Sequence, residues 1–147
     1  MKASTEGEGE FKPNPILVKI LNESGWYKTL VETMPEGIIA SDMNGIIVYA
    51  NPKIHQMIGY ADKELIGMDS LSIVVAKDRA RVRRESEKRF NEKATSQYEI
   101  TFKTKVGSKV PVIISGTPIL GPNSESIGTY AIITDIRYRK RAQKQKH

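Results

Sequence analysis

The sequence predicts an α+β fold: a five-stranded antiparallel sheet with short helices on one face and helical extensions at both ends. Three observations predict it. Two short isoleucine-rich runs, GIIAS and IIVYA, flank Asp42-Met43-Asn44-Gly45, which has the composition of a hairpin turn. Three further runs with strand character, SQYEITFKT, SKVPVIISGTPIL and SIGTYAIITDI, follow late in the chain. Between hairpin and late strands lies a densely charged stretch, 78–93, with helical character.

Taken in order, residues 1–15 carry Gly7, Gly9, Pro13 and Pro15 among charged and small polar residues, the composition of a flexible segment. Residues 16–34 follow as an amphipathic helical region, with Trp26, Leu30 and Met34 at four-residue spacing. Ser24-Gly25 can divide this helix, and Pro35-Glu36-Gly37 ends it. Gly37–Ser41 and Ile46–Ala50 are strands because Ile and Val favour the pleat, and Asn44-Gly45 supplies a left-handed turn position. Asn51 is a good helix N-cap and Pro52 suits the first helical position; Ile54, Met57 and Ile58 share one face, and Gly59 stops the helix. Asp62–Gly67 can form one more turn.

The helix over 78–93 offers Arg81–Glu85, Arg83–Glu87, Glu85–Arg89 and Lys88–Glu92 as opposite charges four residues apart. That pattern reads as a solvated face, and only Val82 and Phe90 give it clear apolar contacts. In the late strands, alternation puts Tyr98, Ile100 and Phe102 on one face, with Val110, Val112 and Ile114 likewise.

The bulk numbers bound the function. The chain of 147 residues fits one domain with extensions, and its 39% hydrophobic fraction supports one core. No apolar run approaches the roughly 18–20 residues of a membrane span, and Met1-Lys2 opens no secretory h-region, so a cytoplasmic location is the default expectation. Cysteine is absent, which excludes disulfides, thiolate metal sites and a cysteine nucleophile. The net charge of +6 resides in the last residues: RYRKRAQKQKH holds six of the 23 Lys and Arg, leaving 17 against 17 acids in the rest. This basic segment, 137–147, is a helical linker or tail able to meet phosphates or anionic lipid. No Gly-rich phosphate loop, metal-spaced cluster or nucleophile with an evident base stands out, so no enzyme activity is expected.

Four stretches in order carry a family resemblance: LVETMPEGIIASDMNGIIVYANP, MIGYADKELIGM, KVGSKVPVIISGTPI and IGTYAIITDIRYRKRAQ. Over roughly residues 26–141 the chain resembles a PAS domain, with 35–136 as the expected PAS core. The chain departs from the family at two places. Val106-Gly107 stands where Asp-Gly or Asn-Gly is common, and valine resists positive φ, so that turn must be of another type. Arg137 stands where Thr is usual and Tyr138 where an acid is common, which removes a Thr hydroxyl bond at the exit and leaves Asp135.

The resemblance implies a sensory and interaction module of signal transduction, joined to an output domain such as a histidine kinase in a two-component system, or to a transcription regulator. It also implies a pocket that can hold haem, flavin, a small metabolite or nothing. Alternation points Ile39, Ser41, Ile100, Phe102, Val112, Ile114, Ala131 and Ile133 into it, with Ile54, Met57 and Ile58 closing a lid. A filled core would use the same residues. Covalent flavin–cysteine chemistry is excluded, and the long helix lacks the histidine that PAS haem sensors often use; His55 reads as an ordinary polar helix residue. A noncovalent flavin or a small carboxylate fits the resemblance, with Arg79, Arg81 and Arg83 as candidate donors for the latter. A homodimer through Trp26, Leu30 and Met34 is expected, where one buried Trp and Leu contribute on the order of 3–6 kcal/mol before association costs. Asp135 is the expected signal exit. The alternative is a nucleic-acid-associated regulator using the basic tail.

Overall fold

The computed structural model describes residues 14–16, 19 and 25–145. Contacts divide the chain into residues 1–32 and residues 33–147. Helix α1 (Trp26–Thr33) begins after Gly25, whose φ of +98° breaks the helical path. The helix expected over 16–34 is therefore divided at Gly25, while residues 17, 18 and 20–24 lie outside the described residues, as does most of the segment 1–15. Tyr27 and Leu30 are exposed on α1.

The second unit is built on strands β1 (Gly37–Asp42), β2 (Ile47–Ala50), β3 (Ser96–Lys103), β4 (Lys109–Leu120) and β5 (Ser126–Asp135). They form one antiparallel sheet in the order β2-β1-β5-β4-β3, so the first hairpin joins the late strands through β1 and β5. The β1–β2 turn follows from its residues: Gly45 takes φ +82°, and the Asp42 carboxylate accepts from the backbone N–H of Asn44 (2.9 Å) and Ile46 (3.0 Å). The β3–β4 turn places φ +93° on Gly107 and leaves Val106 out of the left-handed region. Its closing bonds are Gly107 N to Thr104 O and Ser108 N to Thr104 Oγ1.

Helices α2 (Pro52–Ile58), α3 (Asp62–Leu65) and α4 (Arg79–Glu92), with 3₁₀ turns at Ser70–Ile73 and Ala76–Asp78, connect β2 to β3. The inner sheet face and these connections bury one core, whose fully enclosed members include Ile47, Ile54, Ile58, Leu65, Val110 and Val112. The connections also cover the sheet edges. Ile47 N donates to Met68 O beside β2, and at β3 Thr101 N donates to the Asp78 carboxylate (2.8 Å).

Asn51 corrects one expectation. Pro52 does open α2 and Gly59 does end it at φ +83°, but the Asn51 side chain makes no cap bond to that helix. Its Oδ1 accepts from Ile38 N (2.9 Å) and its Nδ2 donates to Glu36 O (3.1 Å), while its backbone N donates to Ile38 O (3.0 Å). Asn51 is fully buried and straps the start of α2 to the entry of β1. At the other end of α2, Lys105 N donates to Ile58 O, which ties the β3–β4 turn to the helix.

Helix α4 differs from its expectation too. Among the described residues, none of its four charge pairs closes to an ion pair within 4 Å. Arg81 instead donates to Glu99 O (3.1 Å) and lies 5.6 Å over the Tyr98 ring, and Arg89 turns inward. No helix among the described residues is long and apolar enough to cross a membrane.

Candidate functional site

A cavity of about 390 Å³ opens between α4 and the inner face of the sheet. Period-two alternation builds its floor: Ile39 and Ser41 come from β1, Ile114 from β4, and Thr129, Ala131 and Ile133 from β5. Tyr98, Ile100 and Phe102 of β3 form one wall, and Ile73 and Val74 of the 3₁₀ segment another. Val82, Ser86, Arg89 and Phe90 of α4 form the roof. The Asp42–Gly45 loop and Asp69-Ser70 make a polar end, where Gly45 lies close to Ser70 and Asp69.

Of the residues expected to face a pocket, Ile39, Ser41, Ile100, Phe102, Ile114, Ala131 and Ile133 border this cavity. Ile54, Met57, Ile58 and Val112 are buried in the core outside its lining. The physical reason lies in the Asn51 strap, which sets α2 against the start of β1. There Ile54 and Met57 pack on Gly37, so α4, not α2, provides the roof.

Arg89 is the residue that sequence reasoning missed. Its side chain is 3% exposed and reaches into the cavity lining. The guanidinium fits because Gly116 faces it: a Cβ there would stand 2.7 Å from Cζ. Its contacts are long. Nη1 lies 3.4 Å from both Ser86 Oγ and Thr129 Oγ1, and Nη2 lies 3.5 Å from Tyr98 Oη. Nε is buried with no hydrogen-bond partner among the described residues. Burial pushes the Tyr98 hydroxyl pKa up, against the opposing pull of the Arg89 charge. The signal for Arg89 was present in its spacing, since Val82, Ser86 and Arg89 recur on one helical face. A charged residue on that face simply reads as solvated by default.

Two of the three arginines on this helix that are candidate donors do other work. Arg79 Nε donates to Leu71 O (3.0 Å) and Val74 O (3.1 Å), Arg81 is engaged on β3, and only Arg83 borders the cavity. Among the described residues the cavity lining contains no histidine, and Nδ1 of His55, on α2, sits 2.7 Å from Tyr60 O. These residues do not fit a histidine-ligated haem. Among the described residues, no group of three or more His, Cys, Asp or Glu side chains could hold a metal ion.

Strand β5 runs from the cavity to the chain's exit. Beyond Ile133 it ends at Asp135, and helix α5 (Arg137–Gln145) begins. Asp135 Oδ1 accepts from Arg137 N (2.9 Å), and its carboxylate takes a forked bond from the Arg137 guanidinium, with Nη2 at 2.6 Å from Oδ2. Partial burial raises the Asp135 pKa, but the Arg137 side-chain and backbone bonds outweigh it and hold the carboxyl below its usual range. Ile136 is buried and its N donates to Pro111 O, while Lys140 pairs with Glu99 (2.8 Å). Two cations of the basic segment are thus matched by acids of the sheet unit, and Arg139 and Arg141 remain exposed.

The sequence profile of the family described as "PAS fold" matches residues 26–136. The structure is similar to a PAS domain from Colwellia psychrerythraea, at 21% identity and TM-score 0.73, covering 84% of this chain and 98% of that one. It is similar to the PAS domain of an HTR-like protein from Haloarcula marismortui, at 20% identity and TM-score 0.68, covering 82% and 98%. A domain of a sensory box sensor histidine kinase/response regulator from Geobacter sulfurreducens is 25% identical with TM-score 0.62, covering 76% and 93%. No curated protein matches the chain.

Proposed function

This chain belongs to the PAS family, and on that footing we propose that it is a sensory and interaction module in which a small ligand in the cavity biases the exit helix. The observation that carries this reading is the double role of β5. Thr129, Ala131 and Ile133 border the cavity, and the same strand ends at the Asp135–Arg137 clamp that starts α5. A ligand that shifts β5 changes the anchoring of α5, and α5 leads toward an output domain such as a histidine kinase in a two-component system. Ile39, Ser41, Ile100, Phe102, Ile114, Ala131 and Ile133 are the ligand contacts in this reading, and Asp135 is the exit. The module is non-catalytic and cytoplasmic.

The same reading includes a homodimer through α1. Leu30 is exposed there and Met34 is partly exposed, while the Trp26 side chain lies outside what the structure describes. Native mass spectrometry at low collision energy tests both arms. A mass above the sequence value, from a retained ligand or a second copy, supports the proposal; a clean monomeric apo mass at micromolar concentration opposes it. Trp26→Ala weakens self-association in sedimentation, and an unchanged monomer–dimer constant removes Trp26 from the interface.

Exposed Arg139 and Arg141 favour one second reading, a regulator of transcription that meets nucleic acid through α5. Phosphate contacts of that kind weaken steeply between low and moderate salt. If a chain ending at Ile136 binds DNA as tightly as the full chain, the tail has no such role.

A further inference from the structure

We propose that the cavity takes a small organic monocarboxylate, whose carboxylate pairs with Arg89 while its apolar body lies against the sheet. The inference rests on the sensory reading above and names the chemistry of its ligand.

Arginine keeps its charge in any protein environment and carries five N–H donors. Enclosing that charge costs several kcal/mol unless it is paired. Arg89 is 3% exposed, and no carboxylate lies within ion-pairing distance of it among the described residues. Its neighbours are the neutral hydroxyls of Ser86, Thr129 and Tyr98 at 3.4–3.5 Å, the outer limit of hydrogen bonding. The Thr129 hydroxyl already donates to Thr117 O (2.9 Å). A buried, charged fork with long contacts and an idle Nε matches an anion with two oxygens on one carbon.

The rest of the cavity sets the body of that anion. Much of the remaining lining is apolar, with Phe90, Ile100, Ile114, Ala131 and Ile133 among it. Apart from Arg89, the charged residues bordering the cavity are Arg83 and three acids, Asp42, Asp69 and Glu87, and this acidic excess disfavours a second negative charge on the ligand. A volume of about 390 Å³ suits a short-chain or single-ring acid. Gly116 completes the case for a built site: any side chain there would displace the guanidinium.

The test is isothermal titration of the full chain with benzoate, phenylacetate and hexanoate, each compared with its neutral amide. At least one acid is expected to bind on the order of 10–100-fold more tightly than its amide. Arg89→Met should erase that preference while leaving the amide's affinity in place, and Arg89→Lys should keep part of it. Should Arg89→Met fail to fold, the acid–amide comparison on the unaltered chain still decides. Amides that bind as well as the acids overturn the assignment of Arg89 and leave the sensory cavity standing. Binding by neither series overturns this inference and removes the cavity reading with it.

Discussion

Replacing Asn51 separates two physical roles that the same residue type can play. As a helix cap, asparagine is exchangeable with serine or aspartate at little cost. As the strap between α2 and β1 it is not, because both ends of its amide are used inside the protein. Oδ1 accepts from Ile38 N at 2.9 Å and Nδ2 donates to Glu36 O at 3.1 Å, and the residue is fully buried. Serine is too short to span both partners, and aspartate has no donor for the Glu36 carbonyl. Two net hydrogen bonds are worth about 1 kcal/mol each, and an orphaned buried backbone group adds about 1–3 kcal/mol. Asn51→Ser should therefore destabilise by roughly 3–5 kcal/mol. With an unfolding entropy of roughly 0.24 kcal/mol/K for a unit the size of residues 33–147, Tm should fall by roughly 12–21 °C. Urea unfolding followed by far-ultraviolet circular dichroism measures this directly, with the midpoint lower and the slope unchanged. An Asn51→Ser or Asn51→Asp variant within about 0.5 kcal/mol of the parent would refute the strap and restore the cap.

Three further outcomes are expected. Gly116→Ala, which places a Cβ 2.7 Å from Arg89 Cζ, should destabilise by about 1–3 kcal/mol, and adding Arg89→Met should recover part of that loss; strictly additive effects in the double-mutant cycle would break the link between the two residues. In the β3–β4 turn, Val106→Asp should change stability by less than about 0.5 kcal/mol and Gly107→Ala, at φ +93°, should lower it by about 1 kcal/mol, so an equal response in urea unfolding would contradict the turn assignment. At the exit, the folded Asp135 pKa is depressed, so its stabilisation is complete above the unfolded value of about 3.9 and is lost as pH falls through the lower folded value. Protection of the α5 amides relative to their intrinsic exchange at each pH should fall across that acid window in the parent protein and be already low, without that pH step, in Asp135→Asn.

Much of the fold was legible because its signals are local. Strand faces follow from a two-residue period, so Tyr98, Ile100 and Phe102 fall together whatever the sheet order. Turns and stops follow from backbone freedom at Gly45 and Gly59, which take φ +82° and +83°. The resistance of valine to positive φ foretold a turn other than the type with two left-handed centres, and the left-handed residue found there is Gly107. By the same alternation Ile39, Ser41, Ile114, Ala131 and Ile133 share the sheet face that floors the cavity. Arg89, Asn51 and the roof lay beyond these rules. A charged helix residue is solvated unless something across the core makes room, and that room is Gly116, on a strand that follows α4 in the sequence. An asparagine before proline reads as a cap unless a backbone N–H from another element stands closer, and that element is β1. The sequence alone determined which strand residues share a face, because that depends on neighbours along the chain. The tertiary structure decided which inward residues border a cavity and which polar groups are paired, because both depend on what the fold places opposite them.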